Sequence, residues 1–264
     1  MTDGFHVRTD VLNTKFGIVA MVDALGSRTA GIDSSRNYLN AIRKLEAEIT
    51  SLISVTLSSA EEKTAGMRDA LEAFNPRFFG DTILCTYEVA DKGHFHEFFA
   101  RATFVLNALM CYALDLGVLF RGALSVGEYL ESQSVALGPA VVDVASWYEM
   151  PEFIGVIVTP STANYLKADF RNQYGEDQNP IPRAIMKWDV PVKNNGTLGT
   201  FALNWPTLIR GGILGKDDKE DKLLWFYNRI KNIPVPFGTE RKYHNTERFL
   251  ALSIEAEREF SEQR

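Results

Sequence analysis

The sequence predicts an α+β fold: a ferredoxin-like sandwich, with helices packed on one face of a mainly antiparallel sheet and a helical appendage at its C-terminal end. Three observations carry this. Apolar runs alternate with amphipathic stretches of helical period, in the order β-α-β-β-α-β-α-β-α-β-β. Gly80-Asp81 breaks the strand-like stretch Phe78–Glu88 into a hairpin. A second turn signal, KNNG at 193–196, separates the strand-like stretches Ala184–Val192 and Leu198–Asn204.

Each element has its own reason. FGIVAMVDALG (Phe16–Gly26) is a continuous apolar run ending in Asp23, the pattern of a buried central strand with an acid at its end. From Ser34 to about Ser58, Tyr38, Ile42, Leu45, Ile49 and Leu52 recur every three or four residues, so a helix is expected, capped by Ser34 or Ser35. Glu61–Asn75 has further helical character, and Pro76 resets the chain. Asp91–Leu116 reads as a second long helix, Val118–Gly127 as a strand and Gln133–Leu137 as a further short one. Pro139–Glu149 reads as a helix with proline in its first turn. Phe153–Val158 is strand-like, and Thr159 caps a helix opened by Pro160. Beyond Gly211-Gly212, Asp217–Lys231 and Asn245–Gln263 read as two charged amphipathic helices that pack on the core or on a partner subunit. The expected organisation is a segment 1–15, a catalytic-type domain 16–210 and a helical extension 211–264.

Composition narrows the class. Apolar residues make up 45% and charged residues 23%, ordinary values for a soluble globular chain. The net charge of −6 weighs against broad nucleic-acid or membrane-surface binding. Cys85 and Cys111, both in apolar runs, read as buried free thiols, consistent with a reducing compartment. The first ten residues show no signal-peptide pattern, and no apolar stretch approaches the roughly 20 residues that span a bilayer. A cytoplasmic protein is expected.

Two aspartates stand out. Asp23 ends the first strand and Asp81 lies in the hairpin that the intervening helix returns to the same sheet, so their carboxylates are expected to converge at one sheet edge. Paired carboxylates suit Mg²⁺ or Mn²⁺, and two such ions serve phosphate chemistry. The small-residue loop ALGSRT after Asp23 offers backbone N–H groups to phosphate oxygens through Gly26, Ser27, Arg28 and Thr29. The plain alternative is that Asp23 caps a helix and Asp81 makes an Asx-turn. His94 and His96 read as surface residues.

In these motifs the chain resembles the catalytic domain of class III nucleotide cyclases. The resemblance runs from about Phe16 to Trp205 and rests on five motifs in order: VDALGSRT, FFGD, FRGALSVGEY, VVDVAS and VKNNG. It implies a cyclase-type sandwich with Asp23, Asp81 and the Ala24 carbonyl as ligands of two Mn²⁺ or Mg²⁺ ions, and Lys193 on the phosphates. It also implies a head-to-tail homodimer with its sites at the interface. RGALSVGEY, GPAVVDVAS and FALNWP look most like the small bacterial pyrimidine cyclases of antiphage (Pycsar) defence. That resemblance implies UTP or CTP as substrate, cyclic UMP or cyclic CMP as product, and a separate effector that binds the cyclic nucleotide.

The chain also departs from the family. Arg77 stands where adenylyl cyclases commonly carry a base-side lysine. Its paired donors suit a pyrimidine carbonyl, and uracil's two carbonyls favour UTP over CTP. Its alternative is an exposed charge at the hairpin base. Phe16 is a candidate for shrinking the base pocket, with core packing as the alternative. Asp143 and Trp147 occupy the positions of the family's asparagine and transition-state arginine. Asp143 is then an acceptor for ribose or base, or a structural residue. Arg121 and Arg28 are the candidate substitute cations, Arg121 also reading as structural. A cyclase-like binding module without turnover is the second reading. A polymerase-palm or diguanylate-type transferase ranks last, because GDT substitutes poorly for that hairpin motif.

Overall fold

A computed structural model describes residues 13–25, 36, 38–45, 47, 74–132, 135–174, 183–209, 222–233, 235 and 237–262. The first strand, β1 (Thr14–Ala24), is followed by helical residues 38–45 (α1). Then come β2 (Phe74–Phe79), β3 (Thr82–Glu88), the long helix α2 (Phe95–Asp115), β4 (Phe120–Glu131) and the short β5 (Ala136–Leu137). The remaining elements are α3 (Pro139–Trp147), β6 (Gly155–Val158), α4 (Pro160–Tyr174), β7 (Ile185–Val192), β8 (Gly196–Leu203), α5 (Lys222–Ile230) and α6 (Glu240–Glu262). The fold is α+β around one mixed sheet, ordered β2-β3-β1-β4-β6-β8-β7, with β5 on β4. Every neighbouring pair is antiparallel except β4–β6.

β1 is central because it is apolar on both faces. Ile18, Val19, Ala20 and Val22 are all buried, and it pairs with β3 on one side and β4 on the other. Its neighbour β4 approaches closely at Gly122, where a Cβ would fall 2.3 Å from the Met21 carbonyl oxygen. The edge strand β2 starts at Phe74, ahead of Pro76. Proline, expected to reset the chain, is tolerated here because an edge strand has one unpaired side. The rest of 61–73, where helix was expected, lies outside the described residues.

Alternation along the strands sorts side chains to two faces. Phe16, Ile83, Cys85 and Tyr87 share one face. There α2 and α4 cover them, through ring contacts of Phe16 with Phe95 and Tyr165 and of Tyr87 with Phe98. The other face carries Asp23, Arg77, Thr82, Thr86, Arg121 and Glu131. The expectation of helices on one face is corrected here. Short α3 crosses this second face over the small residues Ser125 and Gly127, and Ser125 Oγ donates to the Ala140 carbonyl at 2.6 Å. Small side chains on β4 leave the room that a helix needs.

The long helix also qualifies the membrane expectation. Residues Lys92–Asp115 are long and apolar enough to cross a bilayer by composition, but 67% of that window is buried inside the fold, as befits a core helix. Of the two expected histidines, His94 is exposed and paired with Asp91 at 2.8 Å, whereas His96 is half-buried.

The C-terminal helices belong to the core. Trp225, Phe226, Phe249 and Leu250 are fully buried. The Phe249 ring lies 5.2 Å from Phe153 and 4.9 Å from Trp188. Ser253 Oγ donates to Asn204 Oδ1 at 2.7 Å, and the Ile154 N–H donates to Thr246 Oγ1 at 2.8 Å. The second begins at Glu240, ahead of its expected start at Asn245, while the expected start of the first at Asp217 lies outside the described residues.

Both thiols are buried, as expected. Burial pushes the Cys85 thiol up to about 12 and raises Cys111 as well. Neither thiol is expected to react with an aromatic disulfide reagent at pH 8 in the native protein, and both should react after unfolding in guanidinium. Rapid native labelling of either would contradict the burial. The raised values have a sign. Above the ordinary thiol pKa the unfolded chain holds fewer protons, so these two groups make stability fall as pH rises.

Candidate active site

The cross-strand register builds one end of the site. Asp23 on β1 lies directly between Thr82 on β3 and Arg121 on β4. Residues in register share a face, and both neighbours point their donors at the carboxylate. The Arg121 guanidinium donates to Asp23 Oδ2 at 3.3 Å, and Thr82 Oγ1 reaches Oδ1 at 3.5 Å. Asp23 is 3% exposed and Arg121 7%, so this is a buried ion pair.

The hairpin supplies the second carboxylate. Gly80 takes φ +63° in the first of the two turn positions, which suits a II′ turn. That brings Asp81 beside the end of β1. The Ala24 N–H donates to the Asp81 carbonyl at 3.0 Å, and the Tyr38 hydroxyl on α1 donates to the same oxygen at 3.2 Å. Burial, together with the charges of Asp81 and Asp23, pushes the Tyr38 phenol above its ordinary pKa.

A chain of charges continues from Asp23. Arg121 also donates to the Glu149 carbonyl at 2.9 Å and lies 3.7 Å from the Glu149 carboxylate. Lys193 Nζ donates to that carboxylate at 2.9 Å, and the Tyr148 hydroxyl donates to its other oxygen at 3.1 Å. Lys193 opens the β7–β8 turn, where Asn194 and Asn195 sit at φ 62° and 59°. A I′ turn needs two such residues, and asparagine accepts them.

Other expected residues lie elsewhere on the sheet. Arg77 is 8% exposed, not an exposed charge at the hairpin base. Its guanidinium points away from the hairpin tip and donates to Thr86 Oγ1 at 3.3 Å, Glu131 Oε2 at 2.9 Å and the Ser132 carbonyl at 3.0 Å. Thr86 pairs with Val19, four residues along β1 from Asp23, or roughly 13 Å. Asp143 accepts from the Thr159 hydroxyl at 2.7 Å and from Ser161, fastening α3 to the start of α4. Thr159 also caps α4 as expected, accepting from the Thr162 N–H.

Phe16 is set apart from these residues. It lies on the opposite face of the sheet from Asp23, packed against Phe95 and Tyr165 beneath the Lys92 ammonium. Seven residues separate it from Asp23, and an odd separation along a strand reverses the face. Of its two readings, core packing describes its surroundings. Gly26, Ser27, Arg28 and Thr29 lie outside the described residues. Glu149, Glu131, Thr82 and Tyr38 are site neighbours that sequence reasoning did not single out as such.

Two carboxylates of this kind fit a hard divalent ion. Mg²⁺ commonly takes one or two carboxylates and completes its shell with water and phosphate oxygens. No group of three or more His, Cys, Asp or Glu side chains that would enclose an ion occurs among the described residues.

No family model matches the chain. No curated protein matches it either. Matches to 33 chains of solved structures occur. One is a bacterial light-regulated adenylyl cyclase, 11% identical, covering 73% of this chain and 92% of that one, with a TM-score of 0.40.

The far end of the polar face has its own network. Glu131 accepts from Arg77, from Thr86 Oγ1 at 2.7 Å and from Lys15 Nζ at 2.8 Å. Burial alone would raise its carboxyl, but the hydrogen bonds from Lys15, Thr86 and Arg77 outweigh it and hold the pKa below the ordinary value. A depressed carboxylate stabilises the fold above its unfolded pKa, and that contribution is lost as pH falls through the folded value. Glu131→Gln is expected to cost about 2 kcal/mol at pH 7, since it leaves two cations half-paired. Urea midpoints of the two proteins should converge as pH falls through and below the ordinary carboxylate range. A gap that stays constant over that range would show that the charge of Glu131 is immaterial.

Proposed function

We propose that the protein is a nucleotide cyclase that converts UTP into 3′,5′-cyclic UMP and pyrophosphate. The reading is carried by one observation: the hairpin residue Asp81 lies beside the end of β1, its backbone carbonyl accepting from the Ala24 N–H next to Asp23, and the buried Arg121 pairs with Asp23. The ordered motifs support it. In the reaction the ribose 3′-oxygen bonds to the α-phosphorus in line, the bond to the β-phosphate bridging oxygen breaks, and pyrophosphate carries that oxygen away. Asp23, Asp81 and the Ala24 carbonyl would hold one or two Mn²⁺ or Mg²⁺ ions, which when bound lower the pKa of the attacking hydroxyl and neutralise the triphosphate. Arg121 brings a cation to the same place and stands in for the arginine that Trp147 replaces. Lys193 would steady the phosphates.

Arg77 would read the base and Asp143 would meet the ribose or the base. Within one chain Arg77 lies along the sheet from Asp23, and Asp143 lies on α3. A second copy arranged head-to-tail would bring its Arg77, Asp143 and Lys193 to the metals of the first. The product would act as a second messenger for a separate cyclic-nucleotide-binding effector in antiphage defence. CTP, giving cyclic CMP, is the alternative substrate.

The test is incubation of the purified protein with UTP, CTP, ATP and GTP in Mn²⁺, with products resolved by mass spectrometry across a dilution series. Cyclic UMP is expected, with specific activity falling on dilution. Absence of any cyclic nucleotide with all four substrates would sink the reading. A nucleotide-binding module without turnover is the second reading, favoured by Trp147 at the arginine position. It expects tight nucleotide binding in the same samples.

A further inference from the structure

We infer that Glu149 is a built-in occupant of an anion site, and that a phosphate-class anion displaces it from Arg121 and Lys193. Two cations from distant strands converge on one carboxylate: Arg121 of β4 and Lys193 of the β7–β8 turn. Two cations around a single anionic group are the recognition chemistry of a phosphate. The anion that fills the place is the Glu149 side chain of the turn after α3, and it is 30% exposed, so solvent and solutes reach it.

A second observation points the same way. Arg121 is more than nine-tenths buried, yet its Nε has no hydrogen-bond partner. A buried donor without an acceptor is costly, and it marks the guanidinium as under-used in this arrangement. The backbone around Glu149 is fixed independently of its carboxylate. Arg121 donates to the Glu149 carbonyl, and the Lys193 N–H donates to the Met150 carbonyl at 2.9 Å. The carboxylate can therefore swing away without unseating either cation. Glu149 then acts as a positioning residue: it holds the two cations together when no phosphate is present and competes with the phosphate for them. The assignment rests on the phosphate role proposed above for Lys193, and its test needs no turnover.

The probe is inorganic tripolyphosphate, titrated by calorimetry into the full chain without added metal. Glu149→Gln keeps the size and removes the charge. It is expected to bind about tenfold more tightly than wild type, as loss of a competing charge at contact distance requires. Glu152→Gln is the matched control. It removes one negative charge nearby, but Glu152 pairs with Lys242 instead of the site cations. It should leave the affinity unchanged. Lys193→Ala should weaken binding. Glu149→Asp, which shortens the reach to both cations, should shift affinity in the same direction as Gln and serves if Glu149→Gln fails to fold.

The inference is overturned if Glu149→Gln binds no more tightly than wild type, if Glu152→Gln tightens binding equally, or if no variant binds tripolyphosphate. Cyclisation of UTP, measured on the same samples, separates the two proposals. A tripolyphosphate shift without any cyclic product removes the cyclase reading and leaves the Glu149 role standing.

Discussion

Replacing Asp81 by alanine should lower the proposed cyclic nucleotide formation by on the order of 1000-fold or more. Loss of a ligand that holds charge-neutralising ions forfeits several kcal/mol of transition-state stabilisation, and each 1.36 kcal/mol is tenfold in rate. Asp81 is the better probe of the pair. It sits at a hairpin tip and its backbone carbonyl makes the contacts to Ala24 and Tyr38, so those bonds survive the substitution. Its melting temperature should stay close to that of wild type. Asp23 is different. Its removal strands the buried Arg121 and should cost roughly 3–5 kcal/mol of stability, so lost activity there mixes two effects. Full activity in a correctly folded Asp81→Ala protein would end the case for a metal-assisted cyclase.

Phe249→Ala is expected to destabilise the protein by about 3–5 kcal/mol, the range for deleting a fully buried ring. The ring packs against both Phe153 and Trp188, which also contact each other, so truncation leaves a cavity beside this aromatic pair. Removing residues 211–264 should therefore leave a chain without a cooperative thermal transition, since Ile154, Trp188 and Asn204 all lose partners on α6. A residue 1–210 fragment that melts cooperatively would restore the picture of a detachable appendage.

Local rules made part of this molecule readable in advance. The apolar run at Ile18–Val22, the Gly80-Asp81 and Asn194-Asn195 turns and the Thr159-Pro160 helix start obey chemistry that acts over a few residues. The nearness of Asp23 to Asp81 followed from the hairpin returning beside β1. The pairing of Asp23 with Arg121 depends on a register between residues 98 apart in sequence, which no local pattern specifies. Glu149 follows a helix and carries no motif, so only the meeting of β4 and the β7–β8 turn marks it. Strand parity, legible in the sequence, already separates Phe16 from Asp23 by face. The crossing of α3 over the second face depends on small residues in β4, a signal of space that does not name its occupant. The integration of α6 required the partners Phe153 and Trp188, which are remote in the chain.

The central place of β1 has a consequence during synthesis. Its partner on one side is β4, and the contact of Lys15 with Glu131 spans 116 residues. A ribosome adding about 5–20 residues per second makes β4 some 5–20 seconds after β1. For that interval an apolar strand waits with at least one edge unsatisfied, open to pairing with other nascent chains. Pairings this distant also slow the folding search itself. Yield in cells should accordingly be more sensitive to translation speed and to holding chaperones than the finished fold's stability would indicate.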